Sequence, residues 1–211
     1  MPRPTKQQPE RGDARTRLLE AARDVIRAKG YAATSVDDLC QAAAVTKGSF
    51  FHHFKSKEEL GVVAARFWAD TTSAFFAAAP YHKPADPLER VLAYVAFRRS
   101  IISDDLADFT CLVGTMAEEV HATSPAIRDA CGASIFGHAA TLEADITAAM
   151  RRHGVSGVSA ESLARHTQTV IQGAFVLAKA GNDPEIARES LDHLDRYIRL
   201  LFGRNELETM Q

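Results

Sequence analysis

Apolar residues recur with a helical period of 3.6 positions along most of the chain. In the first clear segment they form one stripe that contains Leu18, Leu19, Ala22, Val25 and Ile26. Gly30 follows this stripe and predicts its end. Because no alternating pattern is long enough to compete, the chain is predicted to be all-α, with about nine helices.

Polar capping residues predict where the next helices begin. Thr34-Ser35 opens a short helix, since a hydroxyl can accept from the first free backbone N–H groups. After the tight connection Ala44-Val45, Thr46 caps a second short helix over 47–54. Ser56 and Glu59 form a capping box that opens a long helix. Two short helices between two longer ones are therefore expected near the N-terminus.

The rest of the chain repeats the order of cap, proline and apolar period. Helix starts are predicted at Asp86-Pro87, Ser124-Pro125, Ser159 and Asp183-Pro184. The helix that begins at Ser124-Pro125 is expected to be long, to reach about Arg152 and to end at Gly154.

Charge divides the chain into two parts. Residues 1–57 carry 11 Lys and Arg against 6 Asp and Glu, whereas residues 58–211 carry 14 against 21. A basic first part on an acidic second part indicates that only the first part meets a polyanion. Residues 1–12, with three prolines, are predicted to be a mobile basic arm.

Several classes of protein are disfavoured. Three cysteines without metal-ligand spacing predict neither a disulfide framework nor a metal site, and they fit a reducing cytoplasm. No apolar run approaches the roughly 18 residues that span a bilayer, so no membrane partner is expected. No nucleophile, phosphate-loop or dinucleotide motif is present, so we expect neither an enzyme nor a cofactor.

The two short helices are typical of a helix-turn-helix. Helices this short need neighbours to pack on, and the second one would offer its polar N-terminal end to a DNA major groove. Thr46, Lys47 and Ser49 supply hydroxyl and ammonium donors, and Gly48 allows close approach. A solvated polar face on a helical hairpin is the alternative interpretation of this stretch taken alone.

Three runs of sequence resemble the DNA-binding domain of the TetR family of regulators. They are Gly30-Tyr31-Ala32-Ala33-Thr34-Ser35-Val36, Ala42-Ala43-Ala44-Val45-Thr46-Lys47-Gly48-Ser49-Phe50-Phe51-His52-His53-Phe54 and Ser56-Lys57-Glu58-Glu59-Leu60. The resemblance covers about 15–67 and implies a helix-turn-helix DNA-binding domain over 13–60. By this resemblance, with Ser49 added on its chemistry, the predicted DNA-contacting residues are Thr34, Ser35, Thr46, Lys47, Gly48, Ser49, His52, His53 and Lys57.

This chain departs from the family pattern at two positions. Phe51 stands where the family usually has Tyr, so one hydroxyl contact with a phosphate is expected to be missing. Ala44 stands where the family favours Gly. If the turn needs a left-handed residue there, Ala costs roughly 1 kcal/mol.

The resemblance also assigns 61–211 to effector binding and dimerisation. It implies a homodimer that packs the helices around 159–179 and 184–202 across a two-fold axis. The residues predicted for that interface are Val170, Ala174, Leu191, Leu194, Ile198 and Leu201. Two-fold symmetry predicts a palindromic double-stranded operator whose half-sites lie about 34–36 Å apart or a multiple of that.

An unknown small-molecule effector is expected between the DNA-binding domain over 13–60, called the head below, and the dimer helices. Its predicted pocket residues are Trp68, Phe97, Cys111, Met116, His121, Phe136 and Phe175, with His138 and Gln172 as further candidates. The resulting prediction is a sequence-specific transcriptional repressor that the effector releases. Glu118 and Glu119 with His121 suggest a metal site, but adjacent carboxylates project from different sides of a helix, so a solvated charged face explains them better.

Two alternatives remain open. Cys111 begins a helix, where the helix dipole would stabilise a thiolate, so a cysteine-based sensor of redox state or electrophiles is possible by its chemistry. A helical enzyme or carrier that merely retained this head is the other interpretation.

Overall fold

The computed structural model describes residues 13–204, and within this range the protein is helical without β-strands. The predicted arm, residues 1–12, lies outside the described residues, as do residues 205–211. The first helices are α1 (Ala14–Lys29), α2 (Val36–Ala42), α3 (Lys47–His53) and α4 (Lys57–Ala77). A 3-10 turn, Pro80–His82, precedes α5 (Pro87–Ser100), α6 (Leu106–Phe109) and α7 (Leu112–Val120). The last helices are α8 (Pro125–Ala140), α9 (Glu143–His153), α10 (Ala160–Gly181) and α11 (Glu185–Leu201).

The all-α prediction is confirmed, although the described residues form eleven α-helices rather than about nine. The long helix expected from Pro125 to about Arg152 is two helices, α8 and α9. Thr141 donates its hydroxyl to the carbonyl of His138 at 2.7 Å, a bond that competes with helix continuation. Leu142 then turns into the core, where it is buried. The four-residue helix α6 was not predicted, because one turn carries too few positions to show a period.

The predicted caps form. Ser35 and Asp38 satisfy each other's backbone donors at the start of α2, and Ser56 accepts from the N–H of Glu59 at 3.1 Å at the start of α4. Pro87 and Pro125 occupy first-turn positions, where a missing N–H costs nothing. Local sequence therefore fixes most helix starts.

Two apolar clusters organise the molecule. One joins α5, α9, α10 and α11 in the part that follows residue 60, called the body below. The other begins in α1, α2 and α3 and continues through α4 into α7 and α8. Leu112, Met116, Ile127 and Cys131 belong to this second cluster and are fully buried. The interior of the head thus extends well beyond the predicted boundary at residue 60.

None of the helices within 13–204 is both long enough and apolar enough to cross a bilayer.

Candidate DNA-binding surface and ligand cavity

Helices α2 and α3 form the predicted helix-turn-helix, and a left-handed residue makes the turn between them. Ala44 has φ 51°, so the prediction of a strained alanine at this position is confirmed. The N–H of Val45 donates to the carbonyl of Cys40 at 2.9 Å and closes the turn. Phe50 and Phe54 are buried and anchor α3 to the head. This anchoring leaves the other face of α3 to solvent.

The N-terminal end of α3 is exposed. Thr46, Lys47 and Gly48 are exposed, Ser49 is half-buried, and the hydroxyl of Thr46 accepts from the N–H of Ser49 at 3.1 Å. A Cβ placed on Gly48 would meet only the Thr46 hydroxyl, at 3.7 Å, so this surface is open. Free backbone N–H groups at an exposed helix start favour a phosphate oxygen.

An acidic residue faces Lys47, the residue that begins α3. The Nζ of Lys47 lies 2.8 Å from Oδ1 of Asp37, at the start of α2, and both side chains are largely exposed. This partner raises the pKa of Lys47. The ammonium group of Lys47 thus already has an anionic partner in the protein without DNA.

Three aromatic rings lie beyond that end of α3. The rings of His52 and His53 meet edge to face with centroids 4.9 Å apart. Phe51 is 56% exposed and packs edge to face on the buried ring of Phe50, with centroids 5.1 Å apart. These rings are therefore accessible next to the start of α3.

Two predicted DNA-contacting residues instead hold the head together. Thr34 is 1% exposed, and its hydroxyl donates to the carbonyl of Gly30 at 2.6 Å. The Nζ of Lys57 donates to the carbonyl oxygens of Tyr31 and Thr34, at 3.0 and 2.9 Å. Ser35 is exposed, but its hydroxyl caps α2. Thr34 is thus too buried for its side chain to reach DNA, whereas the half-buried Lys57 keeps one N–H donor free of these carbonyls and its DNA contact stays a prediction.

A cavity of about 560 Å³ lies between the head and the body. Its walls come from α1, α4, α5, α8, α10 and the segment from α6 to α7. The lining residues are Arg23, Asp24, Arg27, Trp68, Thr71, Thr72, Phe75, Phe76, Arg98, Ile101, Ile102, Asp108, Phe109, Cys111, Val113, Ser134, Ile135, His138, Gln168, Gln172 and Phe175. This size and this mixture of apolar and polar groups suit a small organic ligand.

The structure brings some of the predicted pocket residues to this cavity and not others. Those that line it are Trp68, Cys111, His138, Gln172 and Phe175. Those that lie elsewhere are Phe97, Met116, His121 and Phe136.

The four residues that do not line the cavity have other neighbours or are exposed. Phe97 packs on the rings of Phe75, Phe76 and Tyr81. Met116 is fully buried in the head cluster. His121 is exposed at the end of α7, and Phe136 is 60% exposed on the outer side of α8. Periodicity finds apolar positions but does not say which neighbour each one meets.

Helix α1 serves both the head and the cavity. Arg23, Asp24 and Arg27 line the cavity from a helix that also packs on α2 and α3. The guanidinium of Arg27 lies over the ring of Trp68, 5.2 Å from its centroid. The sequence analysis missed these residues, although Arg23 and Arg27 follow Leu19 at steps of four and so continue an apolar face of α1.

A second contact joins the head to α7. Oε2 of Glu119 accepts from the backbone N–H of Ala32 at 2.6 Å. Glu119, which was predicted to belong to a solvated charged face, is exposed, and its carboxylate also ties α7 to the loop before α2.

A buried polar chain closes one side of the cavity. Nε2 of Gln168 donates to the hydroxyl of Tyr94 at 2.8 Å, and that hydroxyl lies 2.9 Å from Nε2 of His138. Among the described residues Nε2 of His138 is the acceptor within reach of the Tyr94 hydroxyl proton, so that proton goes to Nε2 and the proton of His138 is on Nδ1. Burial, aided by the charge of Arg98, lowers the pKa of His138 to about 4, so the imidazole is neutral at neutral pH.

Four of the six residues predicted for the dimer interface lie inside the protomer. Ala174, Leu191, Leu194 and Ile198 are at most 3% exposed and pack in the body cluster, while Val170 and Leu201 are partly buried against it. Their apolar period serves the packing of α10 on α11. The large apolar side chains that these two helices expose are Val176, Leu177, Tyr197 and Leu200.

Comparison with known domain families gives two matches. Residues 18–61 match the family described as bacterial regulatory proteins, tetR family. Residues 87–191 match the C-terminal domain of the LmrA/YxaF-like transcriptional regulators.

Curated relatives are transcriptional proteins. The repressor DhaR of Mycobacterium sp. strain GP1 is 31% identical over 119 residues, which are 56% of this chain and 58% of DhaR. This match thus spans little more than half of that relative. The regulator YxaF of Bacillus subtilis is 24% identical over 174 residues, 82% of this chain and 88% of YxaF.

Solved structures share the fold. A TetR regulator from Rhodobacter sphaeroides superposes with a TM-score of 0.77 at 22% identity, over 88% of this chain and 98% of that one. The TetR-family regulator CifR, solved with a 26-base-pair operator duplex, gives 0.72 at 21% identity, over 93% and 98%. With one domain family matched in the head and a second across most of the body, the chain belongs to the TetR family of DNA-binding transcriptional regulators.

Proposed function

We propose that this protein is a repressor that binds a palindromic operator as a homodimer and leaves it when a small molecule occupies the cavity. The observation that carries the proposal is the shared wall: α1 packs on the helix-turn-helix and also lines the cavity through Arg23, Asp24 and Arg27. A ligand that moves α1 moves α3. A protein with this task works in the cytoplasm, where bacterial DNA lies.

The first part of the proposal concerns DNA. The exposed start of α3 offers backbone N–H groups, the Thr46 hydroxyl and the Lys47 ammonium group to one major groove. His52, His53 and Phe51 follow on the same short helix. The related fold of CifR, whose structure contains operator DNA, supports this use of the head.

The second part concerns the dimer. Val176 and Leu177 on α10 and Tyr197 and Leu200 on α11 are between 41% and 65% exposed. Neighbouring helices with exposed large apolar side chains favour a four-helix contact with a second copy. Such a contact fixes the distance between the two α3 helices and hence the half-site spacing.

The third part concerns release. To empty the operator fully, an effector has to bind the released state about 10⁴-fold more tightly than the DNA-competent state. The contacts available for that difference are the Arg27 bond to the α6–α7 segment and the Glu119 bond to Ala32. Both change if α1 and α7 move apart.

A band-shift assay with the DNA upstream of the protein's own gene tests the proposal. Wild type is expected to shift this DNA, with an affinity that falls steeply as salt rises. Lys47→Ala should weaken binding about tenfold at moderate salt, because one phosphate contact is lost. Lys83→Ala, which removes an exposed lysine after the 3-10 turn, is the matched control and should bind like wild type. No shift by folded wild type at low salt would reject the proposal.

A second candidate makes Cys111 the sensor. Its Sγ accepts from the N–H of Gly114 at 3.4 Å at the N-cap of α7, and the side chain lines the cavity. Burial raises the pKa of Cys40 and raises that of Cys131 to about 12, so these two remain thiols. Cys111 is thus the cysteine best placed to react.

Replacing Cys111 by Ser separates the two candidates. If thiol-reactive compounds release wild type from DNA and leave Cys111→Ser bound, the covalent mechanism holds. An unchanged response of the variant refutes it. Binding of untreated Cys111→Ser to DNA shows that the head is intact.

A further inference from the structure

The guanidinium of Arg98 contacts two aromatic rings in the cavity. Its Cζ is 5.1 Å from the centroid of Phe76 and 5.6 Å from that of Phe175. Both rings stabilise the cation. No carboxylate within residues 13–204 comes within ion-pairing distance of it, and its N–H groups have no hydrogen-bond acceptor in that part of the chain.

Two other half-buried arginines of α5 differ from Arg98 because each has an ion-pair partner. Arg90 pairs with Asp145 at 2.7 Å, and Arg99, the next residue on α5, pairs with Asp192 at 2.7 Å. An arginine drawn into a largely apolar site is normally paired with an anion. Arg98 has the rings but lacks the anion.

The two carboxylates that line the cavity do not pair with Arg98. Asp24 pairs with its neighbour Arg23 at 2.6 Å. Asp108 is exposed and faces the α1 end of the cavity, where it interacts electrostatically with Arg23 and Arg27. These five side chains leave one positive charge in excess, and Arg98 carries it.

The polar chain described above adds a second donor to the same end of the cavity. His138 is neutral, with its proton on Nδ1, and its ring centroid lies 4.6 Å from that of Phe76, which also contacts Arg98. The side chains at this end therefore offer donors to a bound molecule: the guanidinium N–H groups and the imidazole N–H.

The rest of the wall is aromatic. Besides Phe76 and Phe175, the rings of Trp68, Phe75 and Phe109 line the cavity. Flat rings favour a flat apolar body, which stacks on them or meets their edges.

We propose that the effector is a planar aromatic carboxylate whose ring lies among these side chains and whose carboxylate accepts two hydrogen bonds from Arg98. This inference rests on the proposed function, in which the cavity is the effector site. Arginine is suited to the role because its planar fork matches the two oxygens of a carboxylate. A cationic ligand would face the uncompensated charge of Arg98 and is excluded by it.

Isothermal titration calorimetry with three probes of one shape tests the inference. The probes are naphthalene-2-carboxylate, its neutral primary amide and 2-naphthylmethylammonium. Wild type is expected to bind the carboxylate at least tenfold more tightly than the amide and not to bind the ammonium compound. In Arg98→Met the affinity for the carboxylate should fall about 10- to 100-fold, as for loss of a charge-assisted pair, while the amide changes less than about threefold.

Arg99→Met is the matched control. It removes the same charge one residue along α5, from a side chain that pairs with Asp192 outside this cavity. It should keep the wild-type preference for the carboxylate. Thermal melts show that both variants are folded.

Three results would overturn the inference: a carboxylate that binds no better than its amide, a preference that survives in Arg98→Met, or no binding of the carboxylate to folded wild type. The proposed function is judged separately, by whether wild type shifts its upstream DNA without ligand. A protein that retains DNA but shows no carboxylate preference keeps the regulator assignment and loses only the ligand class.

Discussion

Nε of Arg27 donates a hydrogen bond of 2.8 Å to the carbonyl oxygen of Thr110. The two residues stand 83 positions apart, one in the helix that supports the DNA-binding motif and the other just before α7. The bond is buried, and the guanidinium of Arg27 also lies over the ring of Trp68 in the cavity. A ligand beside Trp68 therefore lies next to the contact that holds α1 to the body.

Arg27→Met is expected to lower the free energy of unfolding by about 1.5–3 kcal/mol, because a buried bond from a charged donor is lost. Denaturant unfolding measures this change. Arg23→Met, one turn earlier, breaks only a partly exposed pair with Asp24 and should cost less than about 1 kcal/mol. Equal losses in the two variants would contradict the role given to Arg27.

Asp37→Asn is expected to tighten binding to operator DNA. The substitution removes the carboxylate that holds Lys47 and would repel a phosphate. The expected gain is roughly two- to fivefold, the range of an exposed ion pair. Titration of labelled operator DNA measures it. Asp129→Asn, an exposed aspartate on α8, serves as the control, and a similar gain there would mean that net charge alone is responsible.

Ala44→Gly is expected to stabilise the protein by about 1 kcal/mol, because glycine adopts a positive φ without a Cβ penalty. The same substitution at Ala133, exposed within α8, should destabilise by about 1 kcal/mol. Thermal or denaturant unfolding of both variants provides the measurement. Matching signs would show that the left-handed geometry is not the cause.

His138 predicts a loss of stability in mild acid. Its pKa is about 4 in the folded chain, below the ordinary 6.5 of an unfolded histidine, so the unfolded state binds more protons between these values. The stability that His138 contributes is complete above about pH 6.5 and is lost as the pH falls toward 4. Between about pH 7.5 and pH 5 the expected loss is roughly 2 kcal/mol.

Comparison with His138→Asn isolates this contribution, since other groups also titrate over the same range. The variant should lose about 2 kcal/mol less than wild type between the two pH values. His121→Asn removes an exposed histidine at the end of α7 and should follow the wild-type curve. Parallel curves for wild type and His138→Asn would contradict the prediction.

Leu200→Asp is expected to dissociate the dimer, because an unpaired carboxylate in an apolar interface costs several kcal/mol. Leu200 is 65% exposed on α11, so the isolated chain should tolerate the change. Light scattering after gel filtration should give the mass of two chains for wild type and of one for the variant. Val158→Asp, at an exposed apolar position before α10, should remain dimeric. A dimeric Leu200→Asp would place the interface elsewhere.

Local signals were sufficient for the fold and for the helix-turn-helix. Caps such as Ser35 and Ser56 act within one turn, so the sequence shows them directly. The left-handed turn at Ala44 was indicated by the family pattern, which favours Gly at this position. The short helix α6 and the break at Thr141 and Leu142 depend on tertiary packing, which the period does not record.

The cavity could be predicted only in part. Trp68, Cys111 and Phe175 line it, but Met116 has the same apolar character and lies in the core. Arg98 gave no local signal, and the only signal for Arg27 was its position on the apolar face of α1; the rings and carbonyls that these two residues meet are distant in sequence. Four of the six predicted dimer residues are buried in the protomer for a related reason: the most regular apolar positions of α10 and α11 pack against each other.

Because α1 contributes Arg23, Asp24 and Arg27 to the cavity and also packs on α2 and α3, the proposed function makes one helix serve both DNA binding and ligand binding. A hybrid regulator that joins this body to the head of a relative would replace α1, and with it the cavity wall formed by Arg23, Asp24 and Arg27. Engineers who exchange heads to retarget such proteins should transplant α2 and α3 and keep the native α1, or accept an altered inducer range.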